Sequence, residues 1–232
     1  MASILENVTL VQSRIREAAE SAGRDPKEIL LIAATKMNDA GRVREAISAG
    51  VDICGENRVQ ELLEKNAQHA YDGVPVHFIG HLQKNKVKQI VGIVDLIHSV
   101  DSLELLQVIQ NVASAKGVVQ QVLLEVNIGE EASKSGFRPE DIPGVLSSMS
   151  DYPSVLVRGL MAIPPKCSKP EENSGYFSTM RHLFVDNSNN KYDNVCMDFL
   201  SMGMSGDYTE AIKHGANMVR VGTAIFGERI YT

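Results

Sequence analysis

The chain has 232 residues, with 23 Lys and Arg against 29 Asp and Glu, for a formal net charge of −6 at pH 7. That length suits one (β/α)8 barrel, for which roughly 250 residues is typical, and the scattered basic residues exclude the basic stripe of a nucleic-acid surface. Cys54, Cys167 and Cys196 are odd in number, far apart and without a CxxC pair, which argues against a disulfide framework and against zinc.

Ile4, Val8, Val11, Ile15, Ala18 and Ala22 recur at gaps of four and three, the stripe of an amphipathic helix. Ser3 and Glu6 supply a capping box, and Gly23 a left-handed terminator. Arg14, Arg16, Glu17 and Glu20 interrupt any apolar run, so residues 1–23 form a leading helix and not a targeting or membrane segment. A soluble, cytoplasmic protein of one domain, residues 1–232, is expected.

From residue 30 a pattern repeats: a short apolar run, a polar or small-residue end, then a helix-period segment. Strands are predicted at Leu30–Lys36, Ile53–Asn57, His77–Gln83, Leu96–Asp101, Gln120–Ile128, Val157–Pro164, Met197–Met204 and Met218–Gly222. Helices are predicted at Ala40–Ala49, Arg58–Tyr71, Leu103–Lys116, Glu140–Met149, Asn173–Val185 and Asp207–His214. Asp186–Asn194 is the most polar stretch and is expected to be a solvated loop. Strands alternating with helices imply a parallel sheet with right-handed crossovers. An open doubly wound sheet would need a Gly-rich phosphate turn after its first strand, and the stretch AATKMNDAG at 33–41 has none. A closed α/β barrel is therefore the predicted fold.

In such a barrel the site lies at the C-terminal ends of the strands. Ile32, Ala34 and Lys36 share one strand face, and Ala34 leaves room beneath the lysine. Two readings stand: a lysine that snorkels to solvent, or a desolvated amine freed for attack on a carbonyl. The run LSMGMSGD at 200–207 ends the seventh strand, with Ser205 or Asp207 placed to cap the next helix and Gly203 and Gly206 allowing close backbone approach to a ligand. VRVGTA at 219–224 ends the eighth. Small-residue turns after strands seven and eight are the usual phosphate cradle of this fold. Arg220, inside the barrel, needs an acceptor. An internal salt bridge with Glu125 or Glu56, a heteroaromatic nitrogen and a phosphate all qualify. Glu56, Asn57, His81 and Asn127 are further rim candidates, and SKSGF at 133–137 is a candidate lid or a solvated loop.

Thr35-Lys36, CGENRVQE at 54–61, HFIGHLQKNK at 77–86, SKSGF at 133–137, RGLMAIPP at 158–165, LSMGMSGDY at 200–208 and VRVGTAIFGER at 219–229 together span nearly the whole chain. This set resembles the pyridoxal phosphate homeostasis protein family, barrels related to the alanine racemase N-terminal domain. The resemblance implies pyridoxal 5′-phosphate held as a Schiff base on Lys36, with Ser201, Met204 and Ser205 near the phosphate. It further implies that Arg220 faces the pyridine nitrogen, that Gly222 and Thr223 meet the phosphate, and that Asn57 lies near the ring. A ring nitrogen paired with an arginine stays largely unprotonated, which weakens its electron sink. The tyrosine that alanine racemases supply with the help of a second domain has no counterpart before the chain ends at Tyr231-Thr232.

The expected function is thus vitamin B6 homeostasis, a cofactor carrier without substantial catalysis. It would be monomeric and would hand the cofactor to dependent apoenzymes. The alternatives are a low-activity racemase with His81 or Tyr208 as base, an aldolase-like barrel with a carbonyl substrate on Lys36, and a regulatory module that senses the cofactor.

Overall fold

The computed structural model describes residues 2–131 and 135–227. Eight parallel strands close on themselves in sequence order: β1 (Leu30–Ala34), β2 (Ile53–Glu56), β3 (Val76–Phe78), β4 (Leu96–Val100), β5 (Gln120–Val126), β6 (Val155–Ala162), β7 (Val195–Met204) and β8 (Met218–Val221). Between them run α2 (Ala40–Ser48), α3 (Val59–Ala67), α4 (Val87–Ile90), α5 (Leu103–Lys116), α6 (Ile142–Ser147), α7 (Ser174–Ser188) and α8 (Tyr208–Lys213). The expected barrel is the observed one. Closure is made by β1 against β8, with Ile32 opposite Arg220 and Ala33 opposite Val221.

The leading helix α1 (Ile4–Ser21) forms as its sequence requires: Ser3 and Glu6 bond reciprocally, and Gly23 follows at φ 68°. It packs outside the barrel against α2, α8 and α9 (Thr223–Phe226). Alternation along the strands divides the core in two. Ile32, Ile53, Leu96, Leu123, Met161 and Met218 fill the barrel interior, whereas Leu31, Val122, Val157 and Val219 face the helices. Each such side chain, fully buried, is worth about 1.5–3 kcal/mol in transfer free energy.

Several expected boundaries move. β1, β2, β4, β5, β6 and β8 stop one or two residues short of the predicted ends, because the rim residues leave the ladder to turn into loops. β3 ends at Phe78. Beyond it the chain runs hard against the end of β2, an approach that Gly80 permits, since a Cβ there would lie 2.3 Å from Asn57 O. The polar stretch 186–194 is not all loop: Asn187 and Ser188 bond back to Leu183 O and Val185 O and carry α7 to Ser188. α3 begins at Val59 and ends at Ala67, and Tyr71 beyond it drops to the sheet.

Candidate functional site at the barrel mouth

Lys36 sits in the turn directly after β1, half-buried, on the continuation of the inward face of Ile32 and Ala34. A buried network holds its neighbours. Thr35 is fully buried, and its hydroxyl donates to Glu56 Oε1 at 2.6 Å. Lys65 Nζ donates to the same carboxylate oxygen at 2.6 Å and to Thr35 O at 2.8 Å, and Tyr71 OH donates to it at 3.1 Å. Glu61, 3.4 Å from Lys65 Nζ, accepts from the Met37 amide at 2.7 Å. The residues on both sides of Lys36 are thereby fixed, and Met37 is drawn into a left-handed conformation at φ 61°. Glu56 is therefore no partner of Arg220. The alternation of β2 turns it outward, beneath α3, where Lys65 neutralises it.

The two small-residue turns meet as the sequence requires. Ser205 does not cap α8: its Oγ crosses to the turn after β8 and accepts from the Gly222 amide at 3.1 Å and the Ala224 amide at 3.5 Å. Two amides aimed at one oxygen are an arrangement suited to a phosphate oxygen. Thr223 is exposed in the first turn of α9 beside them. Asp207 ties the turn down, accepting from the Met204 amide at 2.7 Å and from Asn173 Nδ2 at 2.9 Å. A Cβ on Gly222 would stand 3.4 Å from Ala34 Cβ, so the floor under this turn is closely packed against β1. Gly203, at φ 90°, is required by α8, since a Cβ there would lie 2.6 Å from Ala211 Cβ and 2.9 Å from Tyr208 Cα. Gly206 has no atom within 4 Å of its missing Cβ. Packing of α8 thus demands the glycine at 203, whereas the space beside Gly206 is open.

Below the mouth, Arg220 is buried and donates to Ser201 Oγ and, at 3.0 Å, to Ala162 O. Ser201 is thus a partner of Arg220, and its hydroxyl lies in the barrel interior. The chain of contacts continues through His98 Nδ1, 3.1 Å from Ser201 Oγ, and His98 Nε2, 2.9 Å from His77 Nδ1. Burial pushes the His77 imidazole down to about 3 and holds His98 well below its ordinary value, with His77 and Arg220 adding to the effect. Both rings are neutral at pH 7. An arginine can only donate, so Ser201 Oγ accepts from it; the buried Ser201 hydroxyl then has His98 Nδ1 as its acceptor, which leaves His98 Nε2–H to donate to His77 Nδ1. One donor sense runs from Arg220 to His77. Desolvation lowers Arg220 to about 10, and the charge of Glu125 opposes that fall. Of the two carboxylates considered for Arg220, only Glu125 exerts this influence. Glu125 itself is raised to about 7 by burial, with Asp101 adding to the rise and Arg220 opposing it.

Over β2 to β6 the mouth opens into a cavity of about 240 Å³, lined among others by Asn57, His81, Ser99, Glu125, Asn127 and Ser135. His81 is not packed: its side chain is 62% exposed, 3.3 Å from Asp101. Tyr208 is buried, and Arg14 and Glu17 of α1 are the charged groups that act on its hydroxyl. It therefore faces the helical layer and not the barrel interior. Ser133 and Lys134 lie outside the described residues, as do Arg229, Tyr231 and Thr232. The rest of the SKSGF stretch is not a free loop. Phe137 is buried, its amide donates to Glu125 O at 2.8 Å, and its carbonyl accepts from the Asn127 amide at 2.9 Å.

The alanine racemase N-terminal domain family matches residues 7–230. The chain is 42% identical to the pyridoxal phosphate homeostasis protein of Pseudomonas aeruginosa, over 100% of this chain and 98% of the relative, and 43% identical to that of Aquifex aeolicus, over 97% and 98%. It belongs to the pyridoxal phosphate homeostasis protein family. Among solved structures, a protein of unknown function from Bifidobacterium adolescentis superposes with TM-score 0.90 at 36% identity, covering 96% of this chain and 94% of that one. PipY of Synechococcus elongatus, solved with pyridoxal phosphate bound, gives TM-score 0.83 at 32% identity over 97% of this chain and 100% of its own. An alanine racemase from Clostridium difficile, at 16% identity and TM-score 0.66, shares the fold over 97% of this chain and 58% of its own.

Within this family member, sequence reasoning overlooked His77, His98, Ser99 and Lys65. Lys65 carried a signal, since it falls on the apolar stripe of α3 with Val59 and Leu62. His98 shares strand parity with Leu96, an interior residue. Ser99 had none: the register shift between Ile97 and Val100 turns it to the cavity, and a bulge of that kind is not written in the pattern.

Proposed function

We propose that this chain binds pyridoxal 5′-phosphate as a Schiff base on Lys36 and serves vitamin B6 homeostasis as a carrier. The observation that carries the reading is the convergence of the Gly222 and Ala224 amides on Ser205 Oγ, packed against Ala34 just below the Lys36 turn. The residues fit the cofactor: an amine at the end of β1, an anion-ready turn beside it, and, at the far side of the mouth, a buried Asn57 Oδ1 without a partner among the described residues. Ser205, Gly222 and Thr223 would hold the phosphate with Met204 flanking it, Asn57 would lie near the ring, and Arg220 would present a guanidinium N–H with Ser201 fixing its direction. When bound, pyridoxal phosphate supplies a reactive aldehyde and an electron-withdrawing ring.

What this chain's residues do favours storage over turnover. Arg220, near 10 even after burial, keeps its proton at neutral pH and leaves a ring nitrogen unprotonated. The neutral His98 behind Ser201 offers Arg220 no charge that would alter this. Tyr208 is turned towards α1, which removes one of the two candidates for the base of a racemase. His81 lines the mouth cavity and remains the base for a weak racemase, the second reading. Under the carrier reading the whole chain acts as one monomeric barrel domain in the cytoplasm, and it delivers the cofactor to apoenzymes that depend on it.

The test is the visible spectrum of the purified protein with pyridoxal phosphate, before and after borohydride, beside Lys36→Ala. A yellow band that borohydride fixes on Lys36 and that the variant lacks is the expected result. A colourless protein that cannot be loaded overturns the reading. Loss of the α-deuteron from a labelled amino acid, abolished by His81→Ala, would favour the racemase.

A further inference from the structure

The cavity over β2 to β6 has a chemistry different from that of the phosphate turn. Ser99 is 1% exposed and its Oγ has no hydrogen-bond partner among the described residues. Asn57 Oδ1 is likewise buried without one. Among the described residues no side chain donates to the Glu125 carboxyl, and the charges acting on it are those of Asp101 and Arg220. All three residues line one cavity of about 240 Å³. Buried polar atoms are rarely left unsatisfied, and two of them facing the same space as a half-buried carboxyl mark a ligand with complementary groups.

We propose that this cavity binds a primary ammonium group, with its three N–H donors taken by Glu125, Ser99 Oγ and Asn57 Oδ1. The match is one of number and of charge: an ammonium has three donors and no acceptor, and a carboxylate and an amide oxygen only accept. The charged neighbours favour a cation. Asp101 stands beside Glu125, and Arg220 beneath it is engaged by Ser201 and Ala162 O. His81, at the rim, pairs with Asp101. A ligand carboxylate placed here would meet Glu125 and find no cation among the described lining residues. Ile79, Met161 and Ile163 give apolar walls for a short alkyl chain. The ligand class is therefore a simple alkylamine or a lysine-like side chain, and not the carboxylate end of an amino acid. This names the other half of the proposed cofactor site and rests on that reading for its meaning: an amine held here stands next to the strand that ends in Lys36.

The probe is n-propylammonium chloride, titrated into the full-length protein labelled with 13C at the glutamate carboxyl carbons. The Glu125 resonance is assigned by its loss in Glu125→Gln. Recording the titration on wild type and on Lys36→Ala, where no Schiff base can form, separates binding from covalent chemistry. Tetramethylammonium, with no N–H, and propionate are the controls. A ligand of so few atoms should bind with a Kd on the order of 1 mM. The expected result is a saturable shift of the Glu125 resonance with propylammonium in both proteins, absent with either control and weakened several-fold in Ser99→Ala. No saturable shift by roughly 100 mM, or an equal one with tetramethylammonium or propionate, overturns the assignment. If the yellow band on Lys36 persists while the shift is missing, the ligand class fails and the cofactor reading survives. A shift in a protein that never colours shows the reverse.

Discussion

Lys65 is the residue whose removal the structure makes most costly. Its ammonium donates at 2.6 Å to Glu56, which is fully buried and has no other cation within salt-bridge distance among the described residues, and at 2.8 Å to Thr35 O beside the Lys36 turn. Lys65→Met preserves most of the apolar stem and deletes the charge. Glu56 would then keep only the hydroxyls of Thr35 and Tyr71 as donors. Leaving one partner of a buried ion pair uncompensated costs about 3–5 kcal/mol, a large share of the 5–15 kcal/mol that typically holds a domain folded. Urea denaturation should show a lower midpoint at unchanged slope, since the surface exposed on unfolding hardly alters. Adding Glu56→Gln should recover roughly 2–3 kcal/mol, because the stranded charge is then gone. A loss below about 1 kcal/mol in Lys65→Met, or a double variant whose loss equals the sum of the singles, would refute the argument that this pair is desolvated and mutually dependent.

Other consequences follow from the same geometry. Glu125, raised from 4.5 to about 7, keeps a proton in the folded protein that the unfolded chain has already lost, so its contribution to stability declines as pH rises from 4.5 through 7. The stability of wild type relative to Glu125→Gln, followed by urea titration, should therefore fall by on the order of 3 kcal/mol across that interval; a flat difference would contradict it. 15N NMR at pH 5 should find His77 and His98 neutral, each with its proton on Nε2, and a protonated His98 there would break the donor chain from Arg220. Gly203→Ala must force apart β7 and α8, where its Cβ would meet Ala211 at 2.6 Å, and should cost about 1–3 kcal/mol. Gly206→Ala meets nothing and should stay within about 0.5 kcal/mol of wild type in the same melt.

The barrel was legible because its cause is local. Period-two runs followed by period-3.6 segments permit few arrangements, and they place the ends of strands one, seven and eight in order: Thr35-Lys36, then Met204-Ser205, then Gly222-Thr223. The leading helix was readable to its caps for the same reason, since Ser3, Glu6 and Gly23 act within a few residues of themselves. What the sequence could not supply were choices between partners far apart along the chain. Which carboxylate could act on Arg220 depended on which face of β2 turned inward: Glu56 turned out towards Lys65, and Glu125 acts on Arg220 by its charge while Ser201 and Ala162 O take the guanidinium's hydrogen bonds. Ser205 was free to cap its own helix but bonded instead to the start of α9 seventeen residues on, where two amides offered more than one. The His77–His98–Ser201–Arg220 line and the register shift that exposes Ser99 exist only once the strands close in a circle. Side-chain type and periodicity, set by the nearest few residues, fixed the elements and the order of the rim. The pairing of buried charges, set by closure and register, was left to the tertiary structure because desolvation penalises every unpaired group and only the closed barrel determines which groups can meet.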